Sequence, residues 1–323
     1  MLVLTGAQVE ALLDLDELID ALAAAMADLS AGRATAPDRV AAVTPGGLLA
    51  AMPGFVPSAG VLMSKLVTLF PHNTDRPTHQ AVIVAVDPDT GTPAALLDGT
   101  SITAARTGAG SALSARLLAR PESAVLGIVG TGVQARSHAH AMCRVRPIRE
   151  IRIAGPEPHE ATALADELAT QLPATVHAVP AYPDALAGAD IVCATTHATE
   201  PVVRREWLAP GTHVTSVGYN SEGRELDDAT VLDSLVVVES RRAALAPFPA
   251  GTNDLLQPIA AGLITESHVH AEIGELVAGK PGRTSADQLT LYKSVGIAVQ
   301  DAAATALVLK AARSRGIGRE IDL

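Results

Sequence analysis

The segment Gly130-Thr131-Gly132-Val133-Gln134-Ala135 has the residue types and spacing to hold a pyrophosphate. It is the G-x-G-x-x-A form of the dinucleotide fingerprint. The first glycine makes a tight turn, the second lets backbone approach the phosphates, and Ala135 lets helix and strand pack closely. The apolar run AVLGIVG precedes it and VQARSHAHAMCRV follows. A strand therefore leads in and a helix leads out, with its free N–H groups and partial positive charge at the phosphates. That context predicts a nicotinamide cofactor. A second kind of chemistry resides in two cations. Lys65 lies inside VLMSKLVTLF and Arg106 inside TAARTGAG, both poor surroundings for a long charged side chain. Buried cations need a partner. A bound carboxylate is one, and Arg suits its bidentate capture. An internal ion pair or a snorkelling stem is the other reading.

Other candidates carry less. The second strand of the series, EIRIAG, should end in an acid if a ribose 2′-hydroxyl is to be bound. Ala154-Gly155 stand there, with Glu157 just beyond, and Arg136 is available to a 2′-phosphate. NAD and NADP both remain open, with a lean to NADP. His138 and His140 lie two apart and face different sides of a helix, so they read as packing or surface residues, and no metal is expected. GELVAGK at 274–280 imitates a phosphate loop, but Pro281 replaces the required hydroxyl residue. A helix ending at Gly279 is the plainer reading. Cys143 in a helix and Cys193 in an apolar strand look like small core residues.

The elements that must position these groups follow from periodicity. Apolar residues from Leu12 to Leu29 repeat as a helix over 8–32, opened by Thr5 and closed by Gly32. Between 38 and 98, short apolar runs alternate with turn signals such as TPGG, PSAG and DPDTG, which predicts an antiparallel sheet. A helix follows, with Thr103 as its cap. From Ala124 onward, continuous apolar strands alternate with helices, the pattern of a parallel sheet covered on both faces. The segment 295–313 reads as one long helix packing back on the first domain. The fold class is α/β: a Rossmann doubly wound sheet plus a second α+β domain.

The 323 residues suffice for one large domain or two ordinary ones, and 48% of them are apolar. Aromatics are only 2%, so the core must be aliphatic. A net charge of −11 disfavours nucleic acid as a partner, though not a small anion held by local cations. No apolar run is long enough to span a bilayer, and the first residues lack a basic region typical of a signal peptide. The low cysteine content fits a reducing cytoplasm.

Taken together, GTGVQA, LLDGTSITAARTGAGS, KLVTLFPHN, DPDTGTP, RELD and KSVGIAVQDAA closely resemble the ornithine cyclodeaminase/mu-crystallin family over nearly the whole chain and in family order. The resemblance implies a substrate-binding and dimerisation domain over 1–117 and 297–323, and an NAD(P)-binding Rossmann domain over 118–296. A homodimer is expected to form through the first domain's sheet. It implies that Arg39, Lys65 and Arg106 hold a substrate carboxylate, with Thr78 as a polar neighbour. Gly130, Thr131, Gly132, Val133, Gln134 and Ala135 match the pyrophosphate turn. Thr195 and Thr196 match contacts to the nicotinamide ribose. Val217-Gly218 and Ser294-Val295-Gly296 match walls around the nicotinamide ring.

Two positions depart from the family pattern. Asn220 stands where cyclodeaminase and alanine dehydrogenase members carry a proton-trading aspartate, and an amide cannot accept a proton. Ala50 stands where cyclodeaminases carry an acid near the substrate amines. Both departures argue against a diamino acid substrate. The expected activity is therefore NAD(P)-dependent interconversion of a small imino or keto acid and an amino acid. In it Lys65 is the proton donor and Asn220 orients the nitrogen or a water. Ornithine cyclodeaminase is the alternative enzyme, and a catalytically weak, cofactor-dependent binding protein the alternative outside catalysis.

Overall fold

The computed structural model describes residues 1–322. The chain divides into two compact units, Met1–Arg106 with Ile297–Leu323, and Thr107–Gly296.

The first unit is a mixed sheet. Its strands are β1 (Leu2–Leu4), β2 (Val40–Thr44), β3 (Gly47–Val56), β4 (Val61–Leu69), β5 (His79–Val86), β6 (Pro93–Asp98) and, at the chain's end, β15 (Arg319–Glu320). They are ordered β15-β1-β6-β5-β4-β3-β2, antiparallel from β6 to β2. Side chains alternate across a strand. One face therefore presents Ala50, Met52, Met63, Lys65, Ile83 and Leu97, all buried. The helix α11 (Ala298–Arg315) packs on β3 and β4, and α2 (Leu15–Ser30) packs on α11. In place of a single helix over 8–32 there are α1 (Gly6–Leu12) and α2. Asp14 causes the break: its carboxylate accepts the N–H groups of Asp16 and Glu17, both at 2.9 Å, and so starts a new helix.

Helix α3 (Gly99–Leu118) leaves β6, and the divide between the units falls inside it. Its start is held by Asp98, whose carboxylate accepts from Ser101 N–H at 2.7 Å. Thr103, the expected cap, lies one turn further in and donates back to Gly99 O at 2.7 Å. The second half of α3 belongs with the parallel sheet because it is tied to it. Ser111 bonds His138 at 2.8 Å and Ser114 bonds His213 at 3.1 Å, all four side chains being buried.

The second unit is an all-parallel sheet of β7 (Val125–Val129), β8 (Glu150–Ala154), β9 (Thr175–Ala178), β10 (Ile191–Ala194), β11 (His213–Ser216), β12 (Ser234–Val238), β13 (Val269–Glu272) and β14 (Leu289–Lys293). Helices α4 (Val133–Val145), α5 (Pro158–Ala169), α6 (Tyr182–Leu186), α7 (Asp228–Asp233), α8 (Arg241–Ala244), α9 (Asn253–Ala260) and α10 (Ile273–Val277) connect the strands. Alternate strand residues feed separate cores: Leu126, Ile128 and Ile191 on one face, Val129, Val192 and Val214 on the other. Burial on both faces explains why these strands read as continuous apolar runs. The order is β13-β12-β14-β11-β10-β7-β8-β9. The chain runs outward from β7 to β9, then returns to β10 on the other side of β7. The carboxyl ends of β7 and β10 thus flank the topological switch point, where open α/β sheets leave a crevice. Gly279, at φ +101°, follows the end of α10, so GELVAGK is a helix terminus.

Candidate functional site

In the first unit, Lys65 lies on the covered face of β4, paired between Met52 and Ile83. Its ammonium meets Asp301 Oδ2 at 2.8 Å and donates to Thr103 Oγ1 at 3.4 Å. Arg106, from α3, donates from Nε to Asp301 Oδ1 at 3.1 Å and from Nη1 to Gln300 Oε1 at 2.8 Å. Asp301 and Gln300 both come from the first turn of α11 and are fully buried. Arg39 lies close enough to repel the Lys65 charge. Lys65 and Arg106 therefore share the one carboxylate of Asp301, a cluster with a positive surplus, and Arg39 adds to the positive field at Lys65. Burial lowers the Lys65 ammonium to about 8; Asp301 opposes that fall, while Arg106 and Arg39 add to it. Burial alone would raise Asp301, but Lys65 and Arg106 outweigh it and hold the carboxyl below its usual range. Thr78 does not join the cluster. It precedes β5 beside the Leu69–His79 pair, four residues along the strand from Lys65, or roughly 13 Å.

In the second unit, the expected residues gather on one sheet edge. Gly130 follows β7 with φ +117°, and its Cα faces Thr195 so closely that a Cβ would lie 2.6 Å from Oγ1. Thr195 closes the same corner by donating from N and Oγ1 to Val129 O, both at 2.9 Å. Gly132 is the N-cap of α4; it has no side-chain cap, and the space where its Cβ would stand is open. Gln134 Oε1 is buried and has no hydrogen-bond partner among the described residues. A bare helix terminus and an open glycine at the switch point fit a dinucleotide. Thr131 donates to Glu160 at 2.8 Å, and Ala135 is fully buried against the sheet. Val133 is exposed.

Buried charges brace the neighbouring strand ends. Glu225 Oε1 accepts from Thr196 N at 2.6 Å and Oγ1 at 2.8 Å. Its Oε2 accepts from Ser216 Oγ at 2.6 Å and Gly218 N at 2.8 Å. Lys293 donates to Ser216 Oγ at 2.9 Å and Gly218 O at 2.8 Å, and pairs with Asp254 at 2.8 Å. Glu239 accepts from Ser294 Oγ at 2.7 Å and from the N–H groups of Val295 and Gly296 at 3.0 and 2.9 Å. The loops carrying Thr196, Val217-Gly218 and Ser294-Gly296 are thereby fixed from beneath by carboxylates.

Asn220 does not fit the orienting role expected of it. Its Nδ2 donates to His197 O at 2.9 Å, and its Oδ1 accepts from Glu222 N at 2.9 Å and Gly223 N at 3.0 Å. The oxygen closes its own loop, as in an Asx turn, and the NH2 end ties that loop to the one that follows β10. Arg136 is likewise occupied, donating from Nε and Nη2 to Glu167 at 2.6 and 2.7 Å. Burial pushes the Cys143 thiol up to about 11 and that of Cys193 to about 12, which leaves neither reactive.

The profile of the ornithine cyclodeaminase/mu-crystallin family matches residues 1–316. This chain belongs to that family. It is 33% identical to a Delta(1)-pyrroline-2-carboxylate reductase of Bacillus cereus, with the whole of both chains covered. It is 35% identical to the mouse ketimine reductase mu-crystallin over 81% of this chain and 80% of that protein. Among solved structures, the Delta(1)-pyrroline-2-carboxylate reductase of Thermococcus litoralis, in complex with NADH and L-proline, is 37% identical. It superposes with a TM-score of 0.95 over 99% of this chain and all of that one. An archaeal alanine dehydrogenase dimer with bound NAD is 32% identical, with a TM-score of 0.93 over all of this chain and 99% of that one.

The sequence reading of this family member missed Asp301, Gln300, Glu225, Asp254, Glu239 and Lys293. Lys293 was open to discovery, because LTLYK presents a cation in an apolar strand just as VLMSK does. The acids were not, since nothing local separates Glu225 or Asp301 from surface acids.

Proposed function

We propose that the protein is a nicotinamide-dependent reductase of small cyclic imino acids, of the Delta(1)-pyrroline-2-carboxylate class, forming the corresponding amino acid. The observation that carries this reading is the buried Lys65–Asp301–Arg106 cluster with its positive surplus, a seat for one carboxylate. Arg106, steadied by Asp301 and Gln300, and Arg39 bind the acid. Lys65, with an ammonium lowered to about 8, holds a proton it can release near neutral pH. It gives that proton to the imine nitrogen as the C=N bond is reduced, and regains one from solvent. A bound nicotinamide would supply hydride to the carbon of that bond. Gly130, Thr131, Gly132, Val133, Gln134 and Ala135 would hold its pyrophosphate by backbone N–H groups and the end of α4. Thr195, Thr196, Val217, Gly218, Ser294 and Gly296 would line the ribose and nicotinamide.

We assign the cofactor as NAD(H) in preference to NADP(H). Arg136, the cation that favours a 2′-phosphate, is committed to Glu167, and Glu157 lies just past β8 where a ribose hydroxyl would be read. Val40, Leu49, Leu66 and Val82 are exposed on the uncovered face of the first sheet, and Leu66 pairs directly with Val82. That face supports a homodimer. No described helix is long and apolar enough to cross a membrane, and both cysteines are free, which supports a reducing cytoplasm. Cyclodeaminase chemistry lacks its base, because Asn220 is both uncharged and tied to its own loop.

The test is consumption of NADH and NADPH, followed by absorbance, with Delta(1)-pyrroline-2-carboxylate, its six-membered homologue, and pyruvate with ammonia. Preferential turnover of a cyclic imine with NADH is expected. Turnover of pyruvate and ammonia alone would make the protein an alanine dehydrogenase, and ammonia release from ornithine would make it a cyclodeaminase.

A further inference from the structure

Gln300 is fully buried in the first turn of α11. Its Oε1 accepts from Arg106 Nη1 at 2.8 Å and from Ile297 N at 3.3 Å. Two donors at one end decide which way the amide faces, since its NH2 end has no lone pair to offer them. The Nε2 donor consequently points away from Arg106, and it has no acceptor among the described residues. A buried amide donor left unmatched is uncommon and costly. The groups around it offer no remedy. Lys65 and Arg106 are themselves donors, and the two oxygens of Asp301 already face Lys65 and Arg106. The cluster as a whole has more donors than acceptors and more positive than negative charge. An acceptor-only anion answers both shortages.

We propose that Gln300 Nε2 is a further donor to the ligand's carboxylate, beside Lys65 and Arg106. On this assignment its neutrality preserves the positive surplus that makes the seat specific for an acid. The assignment rests on the reading that Lys65 and Arg106 bind the substrate carboxylate. Gln300 thereby has two duties on opposite ends of one amide: it steadies Arg106 and it contacts the ligand.

The test uses the full-length chain with Gln300→Glu and Gln300→Met. The Glu variant keeps an acceptor for Arg106 but loses the donor and adds a negative charge. The Met variant keeps the bulk and loses both the donor and the acceptor for Arg106 without adding charge. With NADH and Delta(1)-pyrroline-2-carboxylate, KM is expected to rise about 10- to 100-fold in Gln300→Glu and about tenfold in Gln300→Met. In both, the NADH dissociation constant should stay near wild type; kcat should do so in Gln300→Met, while in Gln300→Glu the added charge should raise the pH limb assigned to Lys65. Calorimetric titration of L-proline into the NADH complex should show the same loss. Wild-type KM and L-proline affinity in both variants would overturn the proposal. So would a parallel fall in kcat, NADH affinity and melting temperature, which would mark a structural role. If Gln300→Met does not fold, Gln300→Glu decides, since it retains the Arg106 bond. If the wild type reduces no imino acid, the proposed reaction fails, and L-proline binding then judges Gln300 alone. Weaker binding in the variants supports its role; unchanged binding in them, or no binding by the wild type, refutes it.

Discussion

Replacing Asp301 by asparagine removes the one negative charge shared by Lys65 and Arg106, at 2.8 and 3.1 Å. Arg106 keeps a partner in Gln300, but Lys65 keeps only the Thr103 hydroxyl at 3.4 Å. An opposite charge at this range shifts a pKa by about 1–3 units. Lys65 begins at about 8 and should fall to roughly 5–7 without Asp301. If protonated Lys65 donates in the reduction, kcat/KM for the imino acid declines as pH rises through this value. The descending limb should therefore stand near pH 8 in the wild type and move down by about 1–3 units in the variant. At pH 7 the protonated fraction then falls about tenfold for a two-unit shift. Oxidation of the amino acid needs the neutral amine, so its ascending limb should move down by the same amount. A second sign is predicted alongside. Below the shifted limb, where Lys65 keeps its proton, the cluster is more positive than in the wild type, so KM for the acid should fall there. Breaking a buried ion pair costs about 3–5 kcal/mol, so the profile is taken below the variant's measured melting temperature. An unmoved limb in a folded, acid-binding variant would refute Lys65 as the proton donor.

Lys65→Met should abolish turnover while NADH still binds, as read by quenching or enhancement of NADH fluorescence; retained turnover would exclude Lys65 from the chemistry. Asn220→Asp should yield no ammonia from ornithine and should lower the melting temperature, because a carboxylate oxygen would replace the donor facing His197 O. Burial holds His213 down to about 3, with Arg283 and Arg146 adding to the effect, and holds His138 down to about 4, against an ordinary value of 6.5. Below pH 6.5 the unfolded chain takes up protons that these buried rings refuse, so stability is lost as pH falls from about 6.5 toward 4. His213→Gln should reduce the slope of unfolding free energy against pH in that window, whatever its effect on absolute stability. A slope identical to wild type would show that His213 is protonated in the fold.

Much was legible in the chain because it is local. The G-x-G-x-x-A turn is written in consecutive residues, and its glycines answer backbone demands that any strand-to-helix corner of this kind makes: φ +117° at Gly130 and open space at Gly132. Strand runs buried on both faces differ in texture from hairpin strands buried on one, so the two sheets could be told apart by pattern. A cation within an apolar run also declares itself, as Lys65 did, because its desolvation must be answered somewhere. What answers it was decided only by tertiary structure. Asp301 lies 236 residues beyond Lys65 and 195 beyond Arg106, on a helix that crosses back over β3 and β4. No periodicity marks which acid of a helix will face inward. The same holds for Glu225, Glu239 and Asp254, whose oxygens hold loops that the sequence could name but not brace. Asn220 shows the reverse. Its residue type suggested a reactive amide, and the fold spent one end of that amide on a turn and the other on a neighbouring loop. Composition and spacing determine which groups exist and which segments carry them. Long-range packing decides their partners, because electrostatic partnership depends on distance in space and the chain records only distance along itself.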